Sequence, residues 1–315
     1  MMLTGRSLFS IERQGQRIPP EHVALPEWFR RHGYATAHVG KWHQDRESHS
    51  RCFSTGAKIF GFKKKQGWYE ACNGHWHVPV HDFDPSGAYD PDGGYNDPAV
   101  APFHEPYTAD YYALISFIDE HVGSVLDALE QSGQADNTVI VFSGDNGLAV
   151  GQHGLMGKQN LYDHSVRVPL IFAGPGVSAE GRTDAWCYLL DIFPTLCDLA
   201  GIPIPDSVEG RTLVPAIRDP SAGIRDELFF GYKDVQRGVR VGSHKLIEYM
   251  VNGKRTSQLF DLDSDPREAT NLAGDERHAD TLARLRKQLR RWESEFGDTG
   301  DMGRRFWAGA VDGSI

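Results

Sequence analysis

Two oxygen-bearing side chains, Asp145 and Asn146, follow directly on the apolar run of the stretch VIVFSGDNG, residues 139–147. The apolar run predicts a buried strand, and ligands of α/β proteins bind beyond the carboxyl ends of such strands. A carboxylate oxygen beside an amide oxygen suits a hard cation, Ca²⁺ or alternatively Mg²⁺. The competing interpretation is an ordinary turn, because Asp, Asn and Gly all favour turns. The sequence around the stretch favours a cation site.

Two lysines and a histidine occupy comparable positions. Lys41 and His43 follow the predicted strand YATAHVG, and Lys158 comes after Asp145 in a polar, glycine-rich loop. Lysines at strand ends could neutralise the non-bridging oxygens of a tetrahedral anion, although a lone lysine is usually a surface residue. His43 could hydrogen-bond a nucleophile or exchange its proton, or it is a plain loop histidine. We predict functional roles for all three side chains.

The remaining histidines have weaker signals. His153 shares the loop of Lys158, where substrate contact and loop packing are the two alternatives. The stretch from residue 56 to 106 lacks regular periodicity, as long functional loops often do, and it carries four histidines: His75, His77, His81 and His104. These histidines lack the spaced partners of a zinc site. We assign them to pocket lining and predict that His104 and His153 contact the substrate.

The elements that must position these residues alternate between strand and helix. A short helix before Gly33, the strand YATAHVG, a long helix from Tyr107, the strand at 139–147, the strand VPLIFAGPG and a helix ending at Gly201 follow one another. This order predicts an α/β fold with a mostly parallel sheet between helices. Past residue 220 we expect a small antiparallel sheet of short strands, two of which turn at Gly242 and Ser243. One final amphipathic helix should carry Leu282, Leu285, Leu289 and Trp292.

Composition excludes several classes of protein. The chain has 315 residues, 40% of them apolar, and a net charge of −10, so it can bury a core and is a poor binder of nucleic acid. Its four cysteines show no CxxC spacing and leave the compartment open. No apolar stretch has the length of a membrane span, and the first residues lack the apolar segment of a signal peptide. We expect a soluble chain of unknown location.

Six stretches, in order along the chain, resemble the type I sulfatases of the alkaline phosphatase superfamily. They are LTGR at 3–6, GYATAHVGKWH at 33–43, FSGDNG at 142–147, GKQNLYDHSVRVPL at 157–170, LLDIFPTLCDLAGI at 189–202 and LFDLDSDPREATNLA at 259–273. The resemblance implies a sulfatase fold and the hydrolysis of sulfate esters. It also implies a Ca²⁺ held in part by Asp145 and Asn146, with Lys41, His43 and Lys158 around the sulfate as catalytic residues.

The same resemblance implies a formylglycine, whose hydrate attacks sulfur and whose precursor is a Cys or Ser in the motif C/S-x-P-x-R. In the family that motif comes just before the LTGR stretch, and a pair of aspartates completes the metal site further upstream. This sequence starts at MMLTGR and has no internal C/S-x-P-x-R. We therefore expect a shortened sulfatase whose catalysis is weak or absent as the chain stands, because covalent catalysis needs its nucleophile.

The predicted organisation is a sulfatase-like α/β core, residues 1–220, and a subdomain, residues 221–315, with a small antiparallel sheet and the C-terminal helix. The expected partner is a small-molecule or carbohydrate sulfate ester. One alternative is a phosphodiesterase or phosphonate hydrolase of the same superfamily, because a cation and lysines also hold phosphoryl groups. Another is a non-catalytic anion-binding protein. The natural substrate and the oligomeric state are not predicted.

Overall fold

The computed structural model describes residues 1–11, 17–42, 44–60, 101–179, 181–251 and 253–308. Its helices are α1 Leu8–Ile11, α2 Leu25–Arg31, α3 Arg46–Cys52, α4 Ala101–Gln131, α5 Asp163–Val166, α6 Ile192–Ala200, α7 Val214–Arg218, α8 Ala279–Glu295 and α9 Asp301–Ala308. Its strands are β1 Ala37–Lys41, β2 Thr55–Phe60, β3 Ile140–Ser143, β4 Ala149–Val150, β5 Met156–Gly157, β6 Leu170–Ala173, β7 Glu227–Tyr232, β8 Gln236–Val241, β9 His244–Val251 and β10 Lys254–Asp261.

The chain divides into two compact units. The described residues of the first lie within Met1–Gly74, Gly181–Leu228 and Arg290–Ala308, and those of the second within His75–Glu180 and Phe229–Leu289. The predicted boundary near residue 220 stays a prediction. No helix in the described part of the chain combines the length and apolar character of a bilayer span.

The first unit contains the strand that carries Lys41. Strand β1 pairs with β2 in parallel, and the register shifts between Val39 and Lys41. Gly40 lies at this irregularity with a φ of 104°, a left-handed value that favours glycine. The irregular pairing therefore coincides with the end of the strand, just where Lys41 is placed.

The first unit is held together by two apolar clusters and one buried ion pair. One cluster joins Ile18, Ala24, Trp42 and Cys52, and the other joins Val23, Phe193 and Cys197. The carboxylate of Asp191 is fully buried and accepts two hydrogen bonds from the Arg225 guanidinium, at 2.5 and 2.7 Å. Helix α6 follows Asp191 and ends at Gly201 in the left-handed conformation, as expected from the sequence.

The second unit contains the long helix α4, which begins at Ala101 rather than at Tyr107, and the strand pair β3 and β6. This pair is antiparallel, with Ile140 opposite Ala173 and Ser143 opposite Leu170. Residues 144–169, which connect the two strands, fold into a short hairpin and turns around the four-residue helix α5. This antiparallel pair is a two-stranded sheet of its own, and the parallel pairing among the described strands is that of β1 with β2 in the first unit. The prediction of a mostly parallel sheet did not anticipate the direction of this pair.

A four-stranded antiparallel sheet in the order β10, β9, β8, β7 lies almost entirely in the second unit. Strands β8 and β9 turn at Gly242 and Ser243, as predicted from the sequence. Residues from β9 and β10 pack with the segment before α5 in one apolar cluster: Leu161, Tyr162, Ile247, Tyr249, Phe260 and Leu262. Helix α8 carries the predicted amphipathic pattern, with Leu285 and Leu289 buried. It is followed by α9, a helix that the sequence analysis did not anticipate.

Candidate active site

The Asp145-Asn146 pair lies just past the end of β3, where the sequence places it. Asp145 is exposed and Asn146 is half-buried. The glycine that follows has a structural role of its own: the Gly147 N–H donates to the Ser165 carbonyl at 2.9 Å, and a Cβ at this position would lie 1.9 Å from the carbonyl oxygen of His164. Gly147 is therefore required by the close approach of α5, and the loop is anchored to that helix.

A two-stranded hairpin brings Lys158 to Asn146. Strands β4 and β5 pair antiparallel, with Ala149 opposite Gly157. The residues just before Ala149 are therefore close in space to those just after Gly157. The Lys158 ammonium is exposed and donates to Asn146 Oδ1 at 2.9 Å. The structure thus joins two of the predicted site residues, and the ammonium leaves its remaining protons available to an anion.

The donor set has the chemistry of a hard-cation site. Carboxylate and amide oxygens are typical ligands of Ca²⁺ and Mg²⁺, and Asp145 and Asn146 supply one of each. Within the described residues no group of three or more His, Cys, Asp or Glu side chains is placed to hold a metal ion. Asp145 and Asn146 offer donor types that such a cation takes, and two side chains are few beside its about six to eight ligands.

His153 belongs to the packing of this loop. Its side chain is 8% exposed, it adopts a left-handed φ of 56°, and its ring stacks on Tyr162 with centroids 3.8 Å apart and planes at 14°. Burial lowers the pKa of His153 to about 4 and that of His164, whose ring lies 5.3 Å away, to about 3. Of the two alternatives from the sequence, this geometry favours packing, and the role in substrate contact stays a prediction.

The other predicted residues belong to other parts of the chain. Lys41 is exposed at the end of β1 in the first unit. His43 lies outside the described residues, and so does the side chain of His104, whose backbone belongs to the first turns of α4. Burial raises the thiol pKa of Cys52 and of Cys197 to about 11, and neither thiol is disposed to act as a nucleophile.

A buried ionic cluster at the start of α5 was not predicted from the sequence. Lys245 is fully buried in β9, and its Nζ lies 2.7 Å from Asp163 Oδ1 and 2.7 Å from Glu268 Oε1. The available signal was alternation: Lys245 occupies the same face of its strand as Ile247 and Tyr249, which are core residues. A lysine in such a position indicates a buried partner of opposite charge.

The fold that carries this site is that of the alkaline phosphatase-like sulfatases. A protein solved in complex with its substrate D-glucosamine-2-N,6-O-disulfate superposes with a TM-score of 0.69 over 96% of this chain and 88% of that one, at 18% identity. The phosphonate monoester hydrolase of Agrobacterium radiobacter has a TM-score of 0.54 at 28% identity and covers 59% of this chain and 41% of its own. The α/β class expected from the sequence is confirmed.

Sequence comparison then gives the family. Residues 74–202 match the sulfatase family model, and residues 151–295 match the model of the C-terminal part of N-sulphoglucosamine sulphohydrolase. The N-acetylglucosamine-6-O-sulfatase of Bacteroides thetaiotaomicron is 30% identical over 207 residues, which is 62% of this chain and 37% of that protein. Over these residues the chain resembles the sulfatase family, and it spans less than half the length of this relative.

Proposed function

We propose that the protein hydrolyses sulfate esters with the help of a divalent cation. The observation that supports this most directly is the contact between Lys158 Nζ and Asn146 Oδ1 at 2.9 Å, because it places a cationic side chain beside the oxygen donors of a hard-cation site. The similarity to the sulfatase family supplies the reaction class. Sulfate esters carry their charge on non-bridging oxygens, and fixed positive charge at those oxygens stabilises the transition state.

In this proposal Asp145 and Asn146 are the metal ligands, and the cation is Ca²⁺, with Mg²⁺ as the alternative. Lys158 contacts the sulfuryl group, and its ammonium neutralises the developing charge or protonates the leaving oxygen. Similarity to the sulfatases also implies formylglycine, which supplies the nucleophile when it is present. The residues of this chain bind and orient the ester and offset its charge.

Lys41 and His43 complete the proposed catalytic set. Lys41 would be a second lysine at the sulfuryl oxygens, and His43 would hold or exchange the proton of the nucleophilic hydroxyl. His104 and His153 are proposed as substrate contacts. Each of these side chains can be tested in the same way as Lys158 below, by measuring kcat/KM for an aryl sulfate after replacement by alanine.

We further propose a sulfated amino sugar as the substrate class. The supporting facts are the names of two similar proteins: one relative is an N-acetylglucosamine-6-O-sulfatase, and one structural neighbour was solved with D-glucosamine-2-N,6-O-disulfate as its substrate. Titration calorimetry with glucosamine 6-sulfate and with unsulfated glucosamine separates recognition of the sulfate from recognition of the sugar. Equal heats from the two sugars would show that the sulfate group does not contribute to recognition.

The rival activity is phosphonate monoester hydrolysis, supported by the similarity to the Agrobacterium enzyme. Hydrolysis of an aryl sulfate, an aryl phosphonate monoester and an aryl phosphodiester should be compared in parallel with added Ca²⁺. We expect the sulfate to have the highest kcat/KM. A higher kcat/KM for either phosphorus ester would assign the protein to the rival activity, and binding of sulfate without turnover of any ester would support a non-catalytic anion-binding protein.

Replacement of Lys158 tests the site itself. Lys158→Ala should lower kcat/KM for the aryl sulfate by about 10²-fold or more, the usual loss when one charge-stabilising donor is removed. Lys254, exposed at the start of β10, provides the matched control, and Lys254→Ala should keep the parent rate. Equal rates for the two variants would exclude Lys158 from the reaction.

A further inference from the structure

The buried lysine of the second unit connects three separate parts of the chain. Lys245 lies on β9, Asp163 begins α5 and Glu268 follows β10, yet the ammonium lies 2.7 Å from a carboxylate oxygen of each acid. The Lys245 side chain is fully buried and that of Glu268 is 2% exposed. Arg240 Nη1 lies 3.9 Å from the second oxygen of Asp163 and adds a positive charge to the cluster.

The same cluster fixes the start of α5. Glu268 Oε2 accepts a hydrogen bond from the Asp163 N–H at 2.6 Å, so one of the unpaired donors at the start of this short helix is satisfied from the loop after β10. Glu268 itself has a φ of 58°, a left-handed value that is uncommon for residues other than glycine and is maintained only where the surroundings impose it. Both the backbone conformation of Glu268 and its side chain therefore contribute to the contact with Asp163.

Helix α5 also contacts the loop that carries Asn146. Gly147 donates to the Ser165 carbonyl at 2.9 Å, and its Cα lies so close to the His164 carbonyl that no Cβ fits. Gly147 directly follows Asn146, and Asn146 accepts the hydrogen bond from Lys158. A continuous chain of contacts therefore leads from Lys245 through α5 to the Asn146 and Lys158 pair.

A purely stabilising role is the simpler alternative. Burying a charged lysine with two acids costs desolvation energy that an apolar side chain at this position would avoid. Ile247 and Tyr249, on the same face of β9, show that apolar side chains pack there. Stability alone is therefore a weak explanation for the ion pairs. A directional contact that fixes α5 is a better one, because an apolar side chain could not make it.

We propose that Lys245 is a positioning residue that acts through Asp163 and α5 to hold Asn146 and Lys158 in their mutual geometry. Its effect on turnover rests on the proposed sulfatase function, whereas its effect on the loop does not. Residues that orient the groups of a metal site typically change activity by about 10- to 100-fold when replaced. The substitutions Lys245→Met, Asp163→Ala and, as a matched control, Lys254→Met separate these effects.

Amide hydrogen exchange measures the loop without requiring activity. In Lys245→Met the exchange of the Gly147 amide should accelerate about tenfold or more, while the amides that pair β8 with β9 stay protected and Lys254→Met matches the parent. Asp163→Ala keeps Lys245 paired with Glu268 and should accelerate the same amide, which keeps the test valid if Lys245→Met does not fold. Parent-like exchange of Gly147 in either folded variant would overturn the proposal.

A double-mutant cycle tests the effect on the reaction. Lys245→Met should lower kcat for an aryl sulfate about tenfold in the parent, and by a smaller factor in the Lys158→Ala background, because the group that it positions is then gone. Equal factors in both backgrounds would show that Lys245 acts only through general stability and would overturn the catalytic part. If the parent shows no turnover, the exchange of the Gly147 amide alone decides whether Lys245 positions the loop.

Discussion

Mild acid should destabilise the folded protein through the buried imidazole of His153. The ring is stacked on Tyr162 and the side chain is 8% exposed, and burial is the main cause that lowers its pKa to about 4. The positive charge of Lys245 lowers it further, while a hydrogen bond to the Arg267 backbone opposes the shift. At neutral pH the folded protein therefore contains a neutral His153.

The sign and size of the effect follow from the two pKa values. The unfolded chain takes up a proton near pH 6.5, the ordinary histidine value, and the folded chain does so near pH 4. The contribution of His153 to stability is therefore fully present above pH 6.5 and is lost as the pH falls toward 4. Between pH 7 and pH 5 this one group should cost about 2 kcal/mol of unfolding free energy.

Urea unfolding at pH 7 and pH 5 measures this loss. His153→Asn removes the titrating group and keeps a residue that tolerates the left-handed φ of 56°. The variant should be less stable than the parent at pH 7, because the stacking is lost, yet its stability should fall by about 2 kcal/mol less between pH 7 and pH 5. His121→Asn, on the exposed face of α4, should keep the parent slope. A parent-like pH slope in His153→Asn would refute the assignment of a buried neutral imidazole.

Three further predictions follow from single contacts. Gly147→Ala places a Cβ 1.9 Å from the His164 carbonyl oxygen and should lower the unfolding free energy by about 2 kcal/mol; unchanged stability in urea would mean that the loop and α5 separate easily. Arg225→Met leaves the buried Asp191 carboxylate without its ion pair and should cost about 3 kcal/mol, part of which a second substitution, Asp191→Asn, should restore. Calorimetric titration with Ca²⁺ should show only weak binding to this chain, because two side chains supply few of the about six to eight ligands that Ca²⁺ takes. Tight binding that persists in Asp145→Ala would contradict the metal assignment.

Local patterns in the sequence predicted several of the elements correctly. The helix that ends at Gly201, the strand before Asp145 and the turn at Gly242 each depend on side-chain periodicity and on one glycine, and the structure has all three. The prediction of a mostly parallel sheet did not anticipate the antiparallel pair β3 and β6, since periodicity identifies a strand but not the direction of its partner. Helix α9 was not predicted because it is only eight residues long, which is short for a periodic pattern.

The chemistry of the site was determined by the sequence, and its geometry by the tertiary structure. Residue type alone predicted Asp145, Asn146 and Lys158 as a group for a cation and an anion, because carboxylate, amide and ammonium have fixed chemical preferences. The contact between Lys158 and Asn146 depends on a hairpin with strands of two residues, too short for any periodic signal. Lys245 and Glu268 meet Asp163 across 82 and 105 residues of chain, and such contacts exist only once distant elements pack together.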